Sequence, residues 1–204
     1  MLWTNSSGRR SKVDPYVYPG TRILRNKAGL QDAELLAAHE SRMVFKRMLQ
    51  LYAESLPGTL DGNYLAAIHH ALFQDVYFWA GHFRTGEMSI GGRMFCRARI
   101  MLPSLTTLLI QLIEEHCLAG LKAELFAERA AFYLGELNTI HPFRDGNGRT
   151  QREFLRALGL RAGHKVRWAA ISQFEMVNAS KLSFATGRPN ASIYVMREAI
   201  GLGV

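Results

Sequence analysis

No apolar run in this 204-residue chain approaches the roughly 18–20 residues that cross a bilayer, so no membrane-spanning helix is expected. The opening MLWTNSSGRRSKVD is polar and basic, with no apolar stretch behind it. It reads as a flexible arm over residues 1–13 and not as a secretory signal. Cysteine is scarce. Cys96 and Cys117 stand far apart without metal-ligand spacing, which leaves no disulfide framework and fits two buried thiols in a reducing, cytoplasmic setting. Repeats, low-complexity tracts and long linkers are also missing, so residues 14–204 read as one domain. Acidic side chains are the minority, 17 against 25 lysines and arginines, for a net charge of +8. That balance suits a nucleic acid, a nucleotide substrate or an acidic protein partner, and alone does not choose among them.

What is present is helical periodicity. From 32 to about 52, Leu35, Ala38, Phe45, Leu49 and Tyr52 fall on one stripe. Asp61 or Asn63 can cap a second helix carrying Leu65, Ile68, Leu72, Val76 and Trp79. Pro103 suits the first turn of a third, with Leu105, Leu108, Leu112 and His116 on one face and Gly120 as its stop. The cleanest stripe is Phe126, Ala130, Tyr133, Leu137 and Ile140, in a fourth helix that Pro142 ends. A fifth runs from about Asn147 to Ala162 with Gly163 as its stop. Ser172 with Glu175 makes a capping box for a sixth, and Asn190 caps a last one. Residues 86–100 differ. Gly91-Gly92 sits between two short alternating runs, the pattern of a β-hairpin. The expected fold is mainly α, a helical bundle with one small hairpin.

The segment HPFRDGNGRTQR, 141–152, ends one helix and begins another within a few residues. Gly146 and Gly148 allow backbone N–H groups to converge just before a helix N-terminus, which favours an anion. Arg149 and Arg152 are three residues apart on one helix, so both guanidinium groups can reach one polyanion, with a nucleoside triphosphate the best fit. His141 is a base available near neutral pH, and Asp145 can offer one hard oxygen to Mg²⁺. Base, metal ligand, anion nest and paired arginines together describe group transfer from a nucleotide to a hydroxyl.

HPFRDGNGR followed by TQR resembles the signature of the Fic family, in which His, Phe, an acid, Gly-Asn-Gly-Arg and a second Arg are fixed. DPYVYPGTRILRN near the start and FCRARI in the hairpin are similar to stand-alone Fic toxins and to the Fic parts of secreted effectors. The resemblance implies a Fic-fold helical bundle, a hairpin flap beside the active-site loop, and transfer of AMP from ATP to a Tyr, Thr or Ser hydroxyl of a target protein. On that basis His141 is the general base and Asp145 holds Mg²⁺. Gly146, Asn147 and Gly148 form the anion hole, Arg149 and Arg152 position the β- and γ-phosphates, and Phe143 anchors the loop in the core. The flap residues Ile90, Gly91, Gly92, Arg93, Met94 and Phe95 are expected to dock the target by strand addition.

Many members carry an inhibitory helix with Ser or Thr, three residues, Glu, then Gly or Asn. No such pattern occurs here; SQFE at Ser172 has the wrong spacing. Its absence resembles the class held in check by a separate small antitoxin with the inhibitory helix. The resemblance further implies a bacterial cytoplasmic toxin acting on ATPase subunits of type II topoisomerases, or a host-cytosolic enzyme if the chain is part of a secreted effector. Rival readings are a Fic-fold kinase, whose members depart from Gly-Asn-Gly-Arg, and transfer of another nucleotidyl or a phosphocholine group. A non-enzymatic alternative is a basic nucleic-acid-binding module, although direct nucleic-acid binding is not expected. His69, His70, His82, His116 and His164 read as ordinary packed or solvated histidines.

Overall fold

The Asp32 carboxylate accepts from the N–H groups of Glu34 and Leu35 and so starts helix α1, Ala33–Ala53. A computed structural model describes residues 2–4 and 14–202 of the chain. Among these residues the remaining helices are α2 (Gly62–Phe73), α3 (Ala98–Glu114), α4 (Ala123–Ile140), α5 (Asn147–Ala162), α6 (Gln173–Thr186) and α7 (Asn190–Ala199). The fold is mostly helical, as expected, and carries one small hairpin. Strands β2 (Glu87–Ile90) and β3 (Arg93–Met94) pair antiparallel, with Ile90 opposite Arg93. The two-residue turn between them has Gly91 at φ 56° and Gly92 at φ 78°, both in the left-handed region that a tight hairpin requires. Of the segment expected as a flexible arm, Leu2–Thr4 form β1, antiparallel to β2 on its other edge. Residues 1 and 5–13 lie outside the described residues.

The chain gathers into two compact units, each assembled from separated stretches. The first comprises Met1–Thr59, Asn63–Leu102 and Pro142–Thr150. Its interior is aromatic: Tyr77 stacks on Trp79 with ring centres 4.4 Å apart, and Tyr16 meets Trp79 edge-on. The second comprises Leu60–Gly62, Pro103–His141 and Gln151–Val204. There α4 packs on α6 and α7. The α4 stripe read from the sequence, Phe126, Ala130, Tyr133, Leu137 and Ile140, is buried throughout. The Ser172–Glu175 capping box forms on α6, and Gly163 and Gly187 follow α5 and α6 at positive φ. No described helix is long and apolar enough to cross a membrane.

Five expectations change. The α1 stripe faces outward: Leu35, Phe45, Leu49 and Tyr52 are exposed, while Leu36, Val44 and Leu51 are buried. The two faces carry similar apolar content, so periodicity alone did not orient the helix. Helix α2 ends at Phe73, which leaves the buried Val76 and Trp79 in the turns beyond it. Helix α3 begins at Ala98, whose N–H donates to the Glu87 carboxylate at 3.1 Å, so Pro103 lies inside the helix. After α3, His116, Cys117 and Leu118 form a single left-handed turn with φ between 51° and 60°. Neither cysteine forms a disulfide, and both are half-buried, where burial had been expected.

Candidate active site

His141 caps the C-terminus of α4 in the left-handed conformation, φ 50° and ψ 62°, its N–H donating to the Leu137 carbonyl at 3.0 Å. For a residue with a side chain that conformation costs about 1–2 kcal/mol, which the packing around it must offset. Its ring is buried, and Nδ1 lies 3.2 Å from the Asn138 carbonyl. A carbonyl only accepts, so Nδ1 carries the proton and Nε2 is the basic nitrogen. The chain leaves the second unit after His141 and enters the first at Pro142.

In the first unit, residues 142–150 make a loop and the first turn of α5. Phe143 is fully buried, stacked on His69 at 4.0 Å and on Phe83 at 5.3 Å, the anchoring role expected of it. Asn147 closes the loop. Its Oδ1 accepts from the Phe143 N–H at 2.9 Å and its Nδ2 donates to the Phe143 carbonyl at 2.8 Å. The amide is thus committed to holding the loop, and what Asn147 presents to an anion is its backbone N–H at the start of α5. Gly146 sits at φ 78°, and a Cβ there would lie 2.4 Å from the Phe73 ring, so only glycine fits without rearrangement. Gly148 is exposed on the first turn of α5.

The Asp145 side chain is half-buried, at 43% exposure. Burial raises its pKa, the nearby Glu40 charge raises it further, and the Gly146 N–H and Arg149 oppose the shift. Among the described residues no three His, Cys, Asp or Glu side chains converge to hold a metal ion.

Arg149 is held from several sides. Its Nη1 is 2.5 Å from Glu40 Oε1, its Nη2 is 3.8 Å from Asp145 Oδ1, and its guanidinium carbon lies 4.6 Å from the Phe73 ring centre. Arg152, three residues on, belongs to the second unit, where its carbonyl accepts from the Trp168 indole N–H at 2.7 Å.

The loop rests on residues that the sequence did not mark. His69 is fully buried; its Nδ1 accepts from the Gly81 N–H at 2.8 Å, so Nε2 is protonated and donates to the Asp145 carbonyl at 3.1 Å. Burial, the largest influence, lowers its pKa to about 3 and keeps it neutral. Arg144 pairs with Asp14 at 2.8 Å. The Arg84 N–H donates to the Pro142 carbonyl at 2.8 Å, while its guanidinium donates to the carbonyls of Gly86 and Cys96 at the two ends of the hairpin. One buried arginine thus ties the base of the hairpin to the loop. Of the expected docking residues, Ile90, Gly91, Gly92, Arg93 and Met94 are exposed and Phe95 is buried. His69 read as ordinary in sequence and Arg84 was not marked, because the His69 ring and the Arg84 backbone N–H meet their partners 76 and 58 residues away.

A Fic/DOC family model matches residues 59–158. The chain is 37% identical over 171 residues to "Protein adenylyltransferase VbhT" of Bartonella schoenbuchensis, covering 84% of this chain and 36% of that longer protein. It is 36% identical over 187 residues to "Probable protein adenylyltransferase Fic" of Salmonella typhimurium, covering 92% of each. Among solved structures, BepC of Bartonella tribocorum with bound AMPPNP aligns with a TM-score of 0.86 at 31% identity, over 90% of this chain and 95% of that one.

Proposed function

The chain belongs to the Fic/DOC family, and from that premise we propose that it transfers AMP from ATP to a hydroxyl side chain of a protein, releasing pyrophosphate. The observation that carries the reading is the contact of His141 Nδ1 with the Asn138 carbonyl, which selects the tautomer whose unprotonated nitrogen is Nε2. In the proposed reaction Nε2 takes the proton of the target hydroxyl as its oxygen attacks the α-phosphorus. The bond from that phosphorus to the bridging oxygen of the β-phosphate breaks, and pyrophosphate carries away the electron pair. A base so placed contributes about 10²- to 10⁴-fold in rate. The N–H groups of Asn147 and Gly148, with Arg149 and Arg152, receive the phosphate oxygens. Asp145 fits the role of Mg²⁺ ligand through its half-exposed carboxylate; a bound ion would neutralise phosphate charge and orient the triphosphate.

The exposed Ile90–Met94 end of the hairpin is the proposed docking edge for the target. We also propose that the chain acts as a toxin on topoisomerase ATPase subunits and is restrained by a separate antitoxin. The missing inhibitory pattern and the net charge of +8, suited to an acidic partner, support that reading. The test is a bacterial lysate incubated with the protein and ATP labelled at the α- or the γ-phosphate. Label entering protein only from the α-position is the expected result, and His141→Ala should abolish it while ATP affinity stays within about threefold. Label entering only from the γ-position makes the enzyme a kinase and overturns the proposal.

A further inference from the structure

We propose that Glu40, itself fixed by Tyr77, is the positioning residue that sets the pose of Arg149 for the phosphates of the nucleotide; this rests on the reading of the chain as an ATP-using transferase. Arginine carries about 2 kcal/mol of rotamer entropy, so a phosphate-binding guanidinium left loose loses much of its value when it is finally ordered. Here the ordering is done in advance. Glu40, on α1, places Oε1 2.5 Å from Arg149 Nη1, and Phe73 supports the guanidinium face. Both side chains of the pair are largely shielded, at 15% exposure for Glu40 and 26% for Arg149, so the contact is less screened than a surface ion pair.

Glu40 alone could swing away. Its other oxygen, Oε2, accepts a hydrogen bond from the Tyr77 hydroxyl, and that prevents it. Tyr77 is almost wholly buried and its ring stacks on Trp79, so the hydroxyl has no freedom to wander. Burial and the Glu40 charge hold its pKa far above the usual tyrosine range, so it remains a donor at any working pH. The result is a relay: ring stack to hydroxyl, hydroxyl to carboxylate, carboxylate to guanidinium. A guanidinium has five N–H donors in a planar fork, so Glu40 occupies one corner and leaves others for an anion. The catalytic chemistry does not pass through Glu40; it acts through Arg149.

The test is calorimetric binding of Mg·ATP and of AMP to the full chain, using Glu40→Gln, Tyr77→Phe, Arg149→Ala and the two doubles with Arg149→Ala. Urea unfolding of each variant is measured alongside. Glu40→Gln should weaken Mg·ATP by about tenfold and Tyr77→Phe by about threefold, with AMP, which lacks the outer phosphates, unchanged. In the Arg149→Ala background neither change should cost anything further. Equal losses in that background, equal losses for AMP, or tighter Mg·ATP binding by Glu40→Gln would each overturn the inference, the last making Glu40 a competitor of the phosphates. If Glu40→Gln fails to fold, Tyr77→Phe reads the same cycle. Wild type that does not bind Mg·ATP brings down the proposed function and this inference together; wild type that binds while both single variants match it brings down the inference alone.

Discussion

Gly146 shows how little room the loop leaves. Alanine there would meet both a positive φ and the Phe73 ring at 2.4 Å, and Phe73 also supports Arg149. Gly146→Ala is therefore expected to cost about 1–3 kcal/mol in urea unfolding, the range for overpacked positions, and to reduce AMP transfer more than the stability loss explains. Asp145 poses the opposite trade. Burial and the charge of Glu40 raise its pKa, so the folded protein holds that proton more tightly than the unfolded chain does. The charged carboxylate is then a cost to folding at neutral pH, and stability declines as pH rises through the raised value. Asp145→Asn removes the cost. Because the side chain is 43% exposed, water screens much of that cost, so the variant should unfold at only a slightly higher urea concentration than wild type at pH 7, with the gap closing as pH falls toward about 4, where free aspartate titrates. Its transfer rate should drop by roughly 100-fold, the loss typical of a charge-stabilising group.

At the scale of elements, α1 and the hairpin are the informative pieces. Since Phe45 points outward and its neighbour Val44 inward, the two should answer mutation oppositely to their size. Phe45→Ser is expected to change unfolding free energy by no more than about 0.5 kcal/mol. Val44→Ala, which empties part of the core, should cost about 1–2 kcal/mol in the same measurement. In the hairpin, Gly92 at φ 78° cannot become proline, whose ring fixes φ near −65°, without breaking the turn. Gly92→Pro should lower modification of the protein target by about tenfold or more while Mg·ATP affinity measured by calorimetry holds within about twofold. A parallel loss of ATP affinity would mean that the hairpin serves the nucleotide instead.

Across the whole molecule, the sequence disclosed the helices through the 3.6-residue period and the loop through the dense chemistry of residues 141–152. Where helix boundaries moved, the cause was a tertiary bond: Glu87 reaching the N–H of Ala98 extended α3 across a proline that local rules would place at its start. The orientation of α1 was illegible because both of its faces bear apolar side chains. The loop's supports were hidden for another reason. Glu40, His69, Tyr77 and Arg84 acquire their roles from partners far off in the chain, and no spacing rule connects them to residues 142–150. That wiring also dictates a timetable. The first unit takes its final stretch from Pro142–Thr150, so a chain emerging from the ribosome cannot complete it until residue 150 has been made. A polypeptide arrested before that stretch would leave Glu40 without its arginine and His69 without its carbonyl, and newly synthesised enzyme should stay catalytically silent until those residues have emerged and docked.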